Sequence, residues 1–194
     1  MMRVMVVYAH PVETSFNAAI FGVVRETLVK RGHEVDACDL YAESFPAIMS
    51  REDRLLYHDV PANRALAAPW IERLEAAKAL VMIFPTWVFG PPAILKGFCE
   101  KMFLPGVAFE LVDGKVRGKL RHLQQVGGVS TYGGTRWRAL LAGDPPRRLF
   151  TRSLRAYVGP SVPITYAGCY DMNRNGPAEL SAFLERVRAI YQSW

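Results

Sequence analysis

The chain has 194 residues, half of them hydrophobic and 22% charged, a balance that excludes disordered and fibrous classes and suits one domain, residues 1–194, with a full-sized core. No apolar run approaches the roughly 20 residues that cross a bilayer, so no transmembrane segment is expected. His10, Pro11 and Glu13 interrupt the apolar start and no cleavage pattern follows, so no signal peptide is expected and a cytoplasmic protein is.

Arg3 to Ala9 is a β-rich apolar run and predicts a central first strand. His10-Pro11-Val12-Glu13-Thr14-Ser15-Phe16-Asn17 follows, then a helical pattern with Ala19, Ile20, Val23, Val24 and Leu28 on one face. Thr14 or Ser15 is placed to cap that helix and Gly32 to end it. A hydroxyl-rich loop at a helix N-terminus offers free N–H groups to an anion, although the glycines of a dinucleotide fingerprint and of a P-loop are missing. Glu34 to Leu40 alternates as a second strand. Residues 41 to 61 read as irregular, with a short helix from Arg51 to Tyr57 and a solvated His58. Ala62 to Lys78 reads as helix, with Leu66, Trp70, Ile71 and Leu74 inward.

Ala79 to Ile83 reads as a third strand buried on both faces, ended at Pro85. Pro91 and Pro92 then open a helix, Ala93 to Phe103. The loop between them, Thr86-Trp87-Val88-Phe89-Gly90, carries aromatic and backbone groups but no acid, base or thiol, which suits a flat ring held by stacking and main-chain hydrogen bonds. Val107 to Val116 reads as a hairpin about Asp113-Gly114. His122 to Ser130 is a fourth strand weakened by glycines, leading to Thr131-Tyr132-Gly133-Gly134-Thr135, where the glycines let backbone approach a ligand. A helical turn from Trp137 to Ala142, a basic amphipathic helix from Arg147 to Tyr157, a fifth strand from Val162 to Tyr170 and a closing helix from Ala178 to Tyr191 complete the chain. Strands alternating with helices predict an α/β fold, a doubly wound five-stranded parallel sheet. In strand order 2-1-3-4-5 the loops after strands 1, 3 and 4 meet at its carboxyl edge.

Pro85-Thr86-Trp87-Val88-Phe89-Gly90, followed by Pro92-Ala93-Ile94-Leu95-Lys96-Gly97, resembles the flavin loop of the NAD(P)H:quinone reductase family, of flavodoxin-like fold. His10 and Ser15-Phe16-Asn17 stand at the spacing that family uses for flavin phosphates. The resemblance implies hydride transfer from NAD(P)H through a flavin to a quinone or similar flat acceptor, in a homodimer. It places His10, Ser15, Phe16 and Asn17 at the phosphate end. It sets Pro85, Thr86, Trp87, Val88 and Phe89 along one part of the ring, and Thr131, Tyr132, Gly133 and Gly134 along another. Phe109 and Leu111 fall where the family faces its substrate. The match at Ser15-Phe16-Asn17 leans toward FAD, with FMN the alternative. The family's animal members carry a Tyr and a His after the glycine loop; here that segment is shorter, Ala142 replaces the His, and Tyr132 stands where a Thr is usual.

No nucleophile motif, metal-ligand cluster or CxxC pair appears, and Cys38, Cys99 and Cys169 read as separate buried thiols. The net charge of +6 is concentrated in Arg136, Arg138, Arg147, Arg148, Arg152 and Arg155, among which Asp144 is the single acid. Such a cluster is a solvated face or attracts an anionic coenzyme, an acidic partner or nucleic acid; with no nucleic-acid motif beside it, nucleic acid ranks last. The basic charge argues against a flavodoxin-type electron carrier. A second alternative is a flavoprotein accessory subunit of a potassium efflux system, its arginines facing the partner.

Overall fold

Apolar runs too uniform for a half-exposed sheet become strands covered on both sides, as parallel pairing requires. The computed structural model describes residues 1–194. In it β1 (Arg3–Tyr8), β2 (Glu34–Asp39), β3 (Ala79–Pro85), β6 (Gln125–Thr131) and β7 (Ile164–Cys169) form one parallel sheet in the order β2-β1-β3-β6-β7. Between β3 and β6 in the chain, β4 (Phe109–Val112) and β5 (Lys115–Gly118) make a separate antiparallel hairpin. Counting sheet strands alone, the order is the expected 2-1-3-4-5. The hairpin turns at Asp113 and Gly114, both left-handed with φ 52° and 73°, the geometry that matches strand twist.

Alternation along the strands splits the core into two layers. Val4, Val6, Val81 and Ile83 pack under α1 (Phe16–Lys30) and α8 (Pro177–Gln192). Met5, Val7, Leu80, Met82 and Phe84 pack on the other face, under α3 (Ala68–Ala76), α4 (Ala93–Met102) and the helical stretch 145–158. α2 (Arg51–Leu56) lies on that second side, where the Lys101 ammonium of α4 meets the Asp53 carboxylate at 2.9 Å, both nearly buried. Gly97 in α4 lets the irregular segment lie against the helix, since a Cβ there would sit 2.0 Å from the Ala47 carbonyl oxygen.

Two helices expected as single units are divided. The Ala62–Lys78 segment is a 3₁₀ helix, Ala62–Ala67, followed by α3; Pro69 has no N–H to continue an α-helical ladder across the junction. The Arg147–Tyr157 segment is α6 (Pro145–Arg148), a π turn (Leu149–Ser153) and α7 (Arg155–Val158). The wide turn, closed by Leu154 N–H donating to the Leu149 carbonyl at 2.9 Å, puts Phe150 and Leu154 in the core and Thr151, Arg152 and Ser153 outside. The glycines that weaken β6 as a strand are what admit that packing: a Cβ on Gly128 would lie 2.7 Å from the Phe150 ring.

Candidate functional site

Three loops converge at the carboxyl ends of β1, β3 and β6. In the first, Ser15 rather than Thr14 caps α1, its Oγ accepting the Ala18 N–H at 3.2 Å. The N–H groups of Phe16 and Asn17 in the first turn have no acceptor within the chain, leaving the positive end of α1 open to an anion. His10 holds its own loop, its Nδ1 accepting the Val12 N–H at 3.1 Å, with its ring 5.9 Å from that of Trp87. The Asn17 side chain is buried; its Nδ2 donates to Thr131 Oγ1 at 2.9 Å, joining the β1 loop to the end of β6, while Oδ1 has no partner.

The second loop is strained. Trp87 and Gly90 exchange both backbone hydrogen bonds at 2.9 Å, so Val88 and Phe89 form a two-residue reverse turn with φ 49° and 59°. Asn-Gly fits such a turn; a β-branched residue in left-handed backbone costs on the order of 1–3 kcal/mol. The chain nevertheless presents Trp87, Val88 and Phe89 to the outside, Val88 fully exposed. The N–H groups of Val88 and Phe89 have no acceptor within the chain. Thr86 anchors the base of the loop, its N–H donating to the Thr131 carbonyl at 2.7 Å and its hydroxyl paired with that of Ser130 at 2.9 Å.

In the third loop the Tyr132 N–H donates to the Cys169 carbonyl at 2.7 Å and the Gly134 carbonyl accepts from Asp171 at 2.8 Å, while the N–H groups of Gly133 and Gly134 are unclaimed. Thr135 caps α5 (Arg136–Leu141). Loops two and three enclose a cavity of about 380 Å³ lined by Thr86, Val88, Phe89, Tyr132, Gly133 and Gly134, with Arg138, Asn173 and Arg174 beside them. Neither glycine has left-handed φ, and a Cβ would come no nearer than 3.4 Å to Asn173 at Gly133 or 3.7 Å to Arg138 at Gly134. Nothing in the chain itself demands glycine there; what glycine does is keep the cavity wall bare. A wall without side chains, with unclaimed N–H donors on two sides and an exposed apolar turn over it, fits a flat ring rich in hydrogen-bond acceptors.

Of the residues predicted from sequence, Thr86, Val88, Phe89, Tyr132, Gly133 and Gly134 line the cavity, while the first loop lines none of it and is joined to the other two through His10 against Trp87 and Asn17 on Thr131. Phe109 and Leu111 are not among them. Phe109 is drawn into the core, 6.0 Å from the Tyr157 ring, Leu111 stands exposed on the hairpin, and neither lines the cavity. The hairpin packs by its Phe109 end onto α7, which turns that ring away from solvent. His58 is exposed, as a loop histidine. The three cysteines are free and buried, burial pushing the Cys99 thiol up to about 12.

Sequence reading missed a cluster behind the glycine loop. Tyr132 Oη donates to Asp144 Oδ1 at 2.7 Å and touches the Tyr166 hydroxyl; Tyr170 Oη donates to Asp144 Oδ2 at 3.3 Å, its ring stacked on that of Tyr132 at 4.4 Å. Asp144 sits in left-handed backbone between α5 and α6, with no cation paired to it. Burial first, then the neighbouring phenol and carboxyl, raises the Tyr132 pKa well above that of a free phenol. The hydroxyl of Tyr132 is thus committed to the interior, and the residue serves the cavity through its backbone position. No group of three or more His, Cys, Asp or Glu is placed to hold a metal ion, and no helix is long and apolar enough to cross a membrane.

An open parallel sheet with its ligand loops at the switch point is the architecture of the flavodoxin-like folds. The chain belongs to that family: the flavodoxin-like fold model matches residues 2–189. It is similar to NAD(P)H dehydrogenase [quinone] 1 of Cavia porcellus, 34% identical over 147 residues that make up 68% of this chain and 54% of that protein. The chain spans about half the length of the curated relatives it matches first. Among solved structures it is similar to Smu.1420 from Streptococcus mutans UA159, with 26% identity and a TM-score of 0.86 over 100% of both chains. Its fold is also that of the NAD(P)H:quinone oxidoreductase from Methanothermobacter marburgensis, with 22% identity and a TM-score of 0.83 over 98% of each chain.

Proposed function

We propose that this chain is a flavin-dependent NAD(P)H dehydrogenase of the quinone-reducing kind, moving a hydride from NAD(P)H to a quinone or similar flat acceptor, which takes its proton from solvent. The observation that carries this reading is the set of unclaimed main-chain N–H groups, those of Val88 and Phe89 on one loop and of Gly133 and Gly134 on another, on residues that line one cavity. The name of the similar Cavia porcellus protein supports it.

A bound flavin supplies the hydride chemistry that no side chain offers. The chain's part is to bind and to stabilise charge. Phe16 and Asn17 N–H groups take the phosphate end, helped by the dipole of α1. The four loop N–H groups stabilise negative charge on the ring in a site that needs no reorganisation. Trp87 and Phe89 keep water off it, and Tyr132 positions the glycine loop through Asp144. Ser15-Phe16-Asn17 favours FAD, with FMN the alternative. The exposed apolar turn Trp87-Val88-Phe89 supports a homodimer in which a second copy covers it.

Titrating the full chain with FAD and with FMN, and following quenching of flavin fluorescence, tests this. Stoichiometric binding of FAD is expected, weakened about tenfold or more in Gly133→Val, where a branched side chain enters the cavity, a loss of about 1.4 kcal/mol. No quenching with either flavin would overturn the reading.

A further inference from the structure

The arginines that give the chain its charge surround an apolar face. Arg136 and Arg138 on α5, and Arg147, Arg148 and Arg152 beyond it, are exposed, and none pairs with an acid. The one acid of that stretch, Asp144, is 4% exposed and has an oxygen bound by each of Tyr132 and Tyr170. The apolar side chains among these arginines are exposed as well: Trp137 by 68%, Leu140 by 43% and Leu141 by 71%. Successive residues of an α-helix stand about 100° apart, so these three share one face of α5, with the buried Ala139 opposite. Arg138 flanks that face on one side, where it lines the cavity. Leu140 lies at its other edge, where it lines a hollow with Arg147, Arg148 and Arg152.

Single exposed apolar residues are ordinary. A tryptophan and two leucines on the outward side of one helix, bordered by five unpaired guanidiniums, are not what a solvated face carries. The combination matches an interfacial anchor: leucines enter the acyl boundary, the indole sits at headgroup level, and the guanidiniums meet lipid phosphates. An acidic protein would need a recess shaped to take the three apolar groups, whereas a bilayer takes such a face without one.

We propose that the outward face of α5, with Arg147, Arg148 and Arg152, docks the protein on an anionic phospholipid bilayer. Since Arg138 of the same short helix is in the cavity wall, docking sets the cavity beside the lipid, and the flat acceptor is then a quinone dissolved there by a long apolar tail. That last step rests on the reductase reading; the docking does not. The experiment is cosedimentation of the full chain with vesicles of phosphatidylcholine alone and of phosphatidylcholine mixed with phosphatidylglycerol. Binding to the mixed vesicles is expected to be about tenfold or more tighter than to the neutral ones, and to weaken as salt is raised. Trp137→Ser with Leu141→Ser, and separately Arg147→Gln, Arg148→Gln and Arg152→Gln together, are each expected to weaken it about tenfold or more. Both variants are expected to melt at the wild-type temperature, since all five side chains are exposed. Brominated lipid is expected to quench the fluorescence of wild type more than that of Trp137→Phe. In flavin-loaded protein the arginine variant is expected to raise the KM for a long-tailed quinone in vesicles about tenfold and leave that for a water-soluble quinone unchanged.

Failure of wild type to bind the mixed vesicles would overturn the proposal. So would undiminished binding by the Trp137→Ser, Leu141→Ser variant, which would mark general charge attraction only. A wild-type dimer that ignores vesicles and that this variant splits would give the face to a second copy instead. A protein that docks on vesicles yet binds no flavin would sink the reductase reading while leaving the docking to stand.

Discussion

Tyr132 Oη lies 2.7 Å from Asp144 Oδ1, and neither residue is more than 4% exposed. A buried carboxyl held by phenols, with no cation paired to it, joins the loop after β6 to the turn before α6. Removing the donor leaves an acceptor short of a partner in a place water does not reach, at a cost of about 1–3 kcal/mol. Tyr132→Phe is therefore expected to lower the midpoint of urea unfolding. It is also expected to weaken flavin binding, because Gly133 and Gly134 lose their anchor although the hydroxyl itself stays behind the cavity wall. Unchanged stability would show that Tyr170 alone suffices for Asp144.

The Val88-Phe89 turn offers the opposite trade. Replacing the pair by Asn-Gly puts residues that tolerate left-handed backbone where a β-branched and an aromatic one stand, and the melting temperature is expected to rise by an amount corresponding to about 1–2 kcal/mol. Flavin affinity is expected to fall, since Val88 and Phe89 wall the cavity. A more stable variant with undiminished affinity would mean that the turn is tolerated strain with no part in binding.

Asp53 and Lys101 are 11% and 5% exposed in their side chains. Burial pushes the Asp53 carboxyl up, but its hydrogen bonds to Lys101 and Ser50 outweigh this and hold it below the usual carboxylate range. Its stabilising effect is thus present above the unfolded-state pKa of about 4 and is lost as pH falls through the lower folded value. Asp53→Ala strands a buried ammonium and is expected to cost about 3–5 kcal/mol at neutral pH. Denaturant titrations of wild type and variant at neutral and acidic pH are expected to converge.

At the alkaline end the sign reverses. Burial holds the Cys99 thiol up to about 12, and burial, with Glu43 and Asp36 nearby, does the same to Cys38. Both folded states keep a proton that the unfolded chain releases near pH 8.5. Stability is full below that pH and falls as pH rises through about 12. Urea midpoints measured from pH 7 to 10.5 are expected to decline, less steeply in Cys99→Ala. At pH 8 neither thiol is expected to react with a disulfide reagent until the protein unfolds.

The sheet was legible in the sequence because burial on both faces writes continuous apolar runs such as Ala79–Phe84, and because Asp113-Gly114 and Ser15 act through local chemistry. The three loops were legible because they follow strand ends, and the strand order brings them together. The remainder depended on contacts between distant parts of the chain. Gly128 reads as a weak strand residue until Phe150 is seen against it. The π turn at Leu149–Ser153 keeps the apolar spacing of an ordinary helix, so periodicity gave no sign of it. Tyr132, Asp144, Tyr166 and Tyr170 come from three loops and one strand, and Asp144 sits in a Gly-Asp-Pro-Pro sequence that signals only a chain break. Phe109 was placed toward a substrate by the resemblance alone, and nothing in the hairpin's sequence says which end packs on α7.

The central claim is that these loops hold a flavin in a state ready for a nicotinamide coenzyme. The most direct measurement is the anaerobic visible spectrum of flavin-loaded protein before and after one equivalent of NADPH. Rapid bleaching of the bound-flavin band, reversed on adding a quinone, is the expected result. A bound flavin that neither NADPH nor NADH bleaches would contradict it.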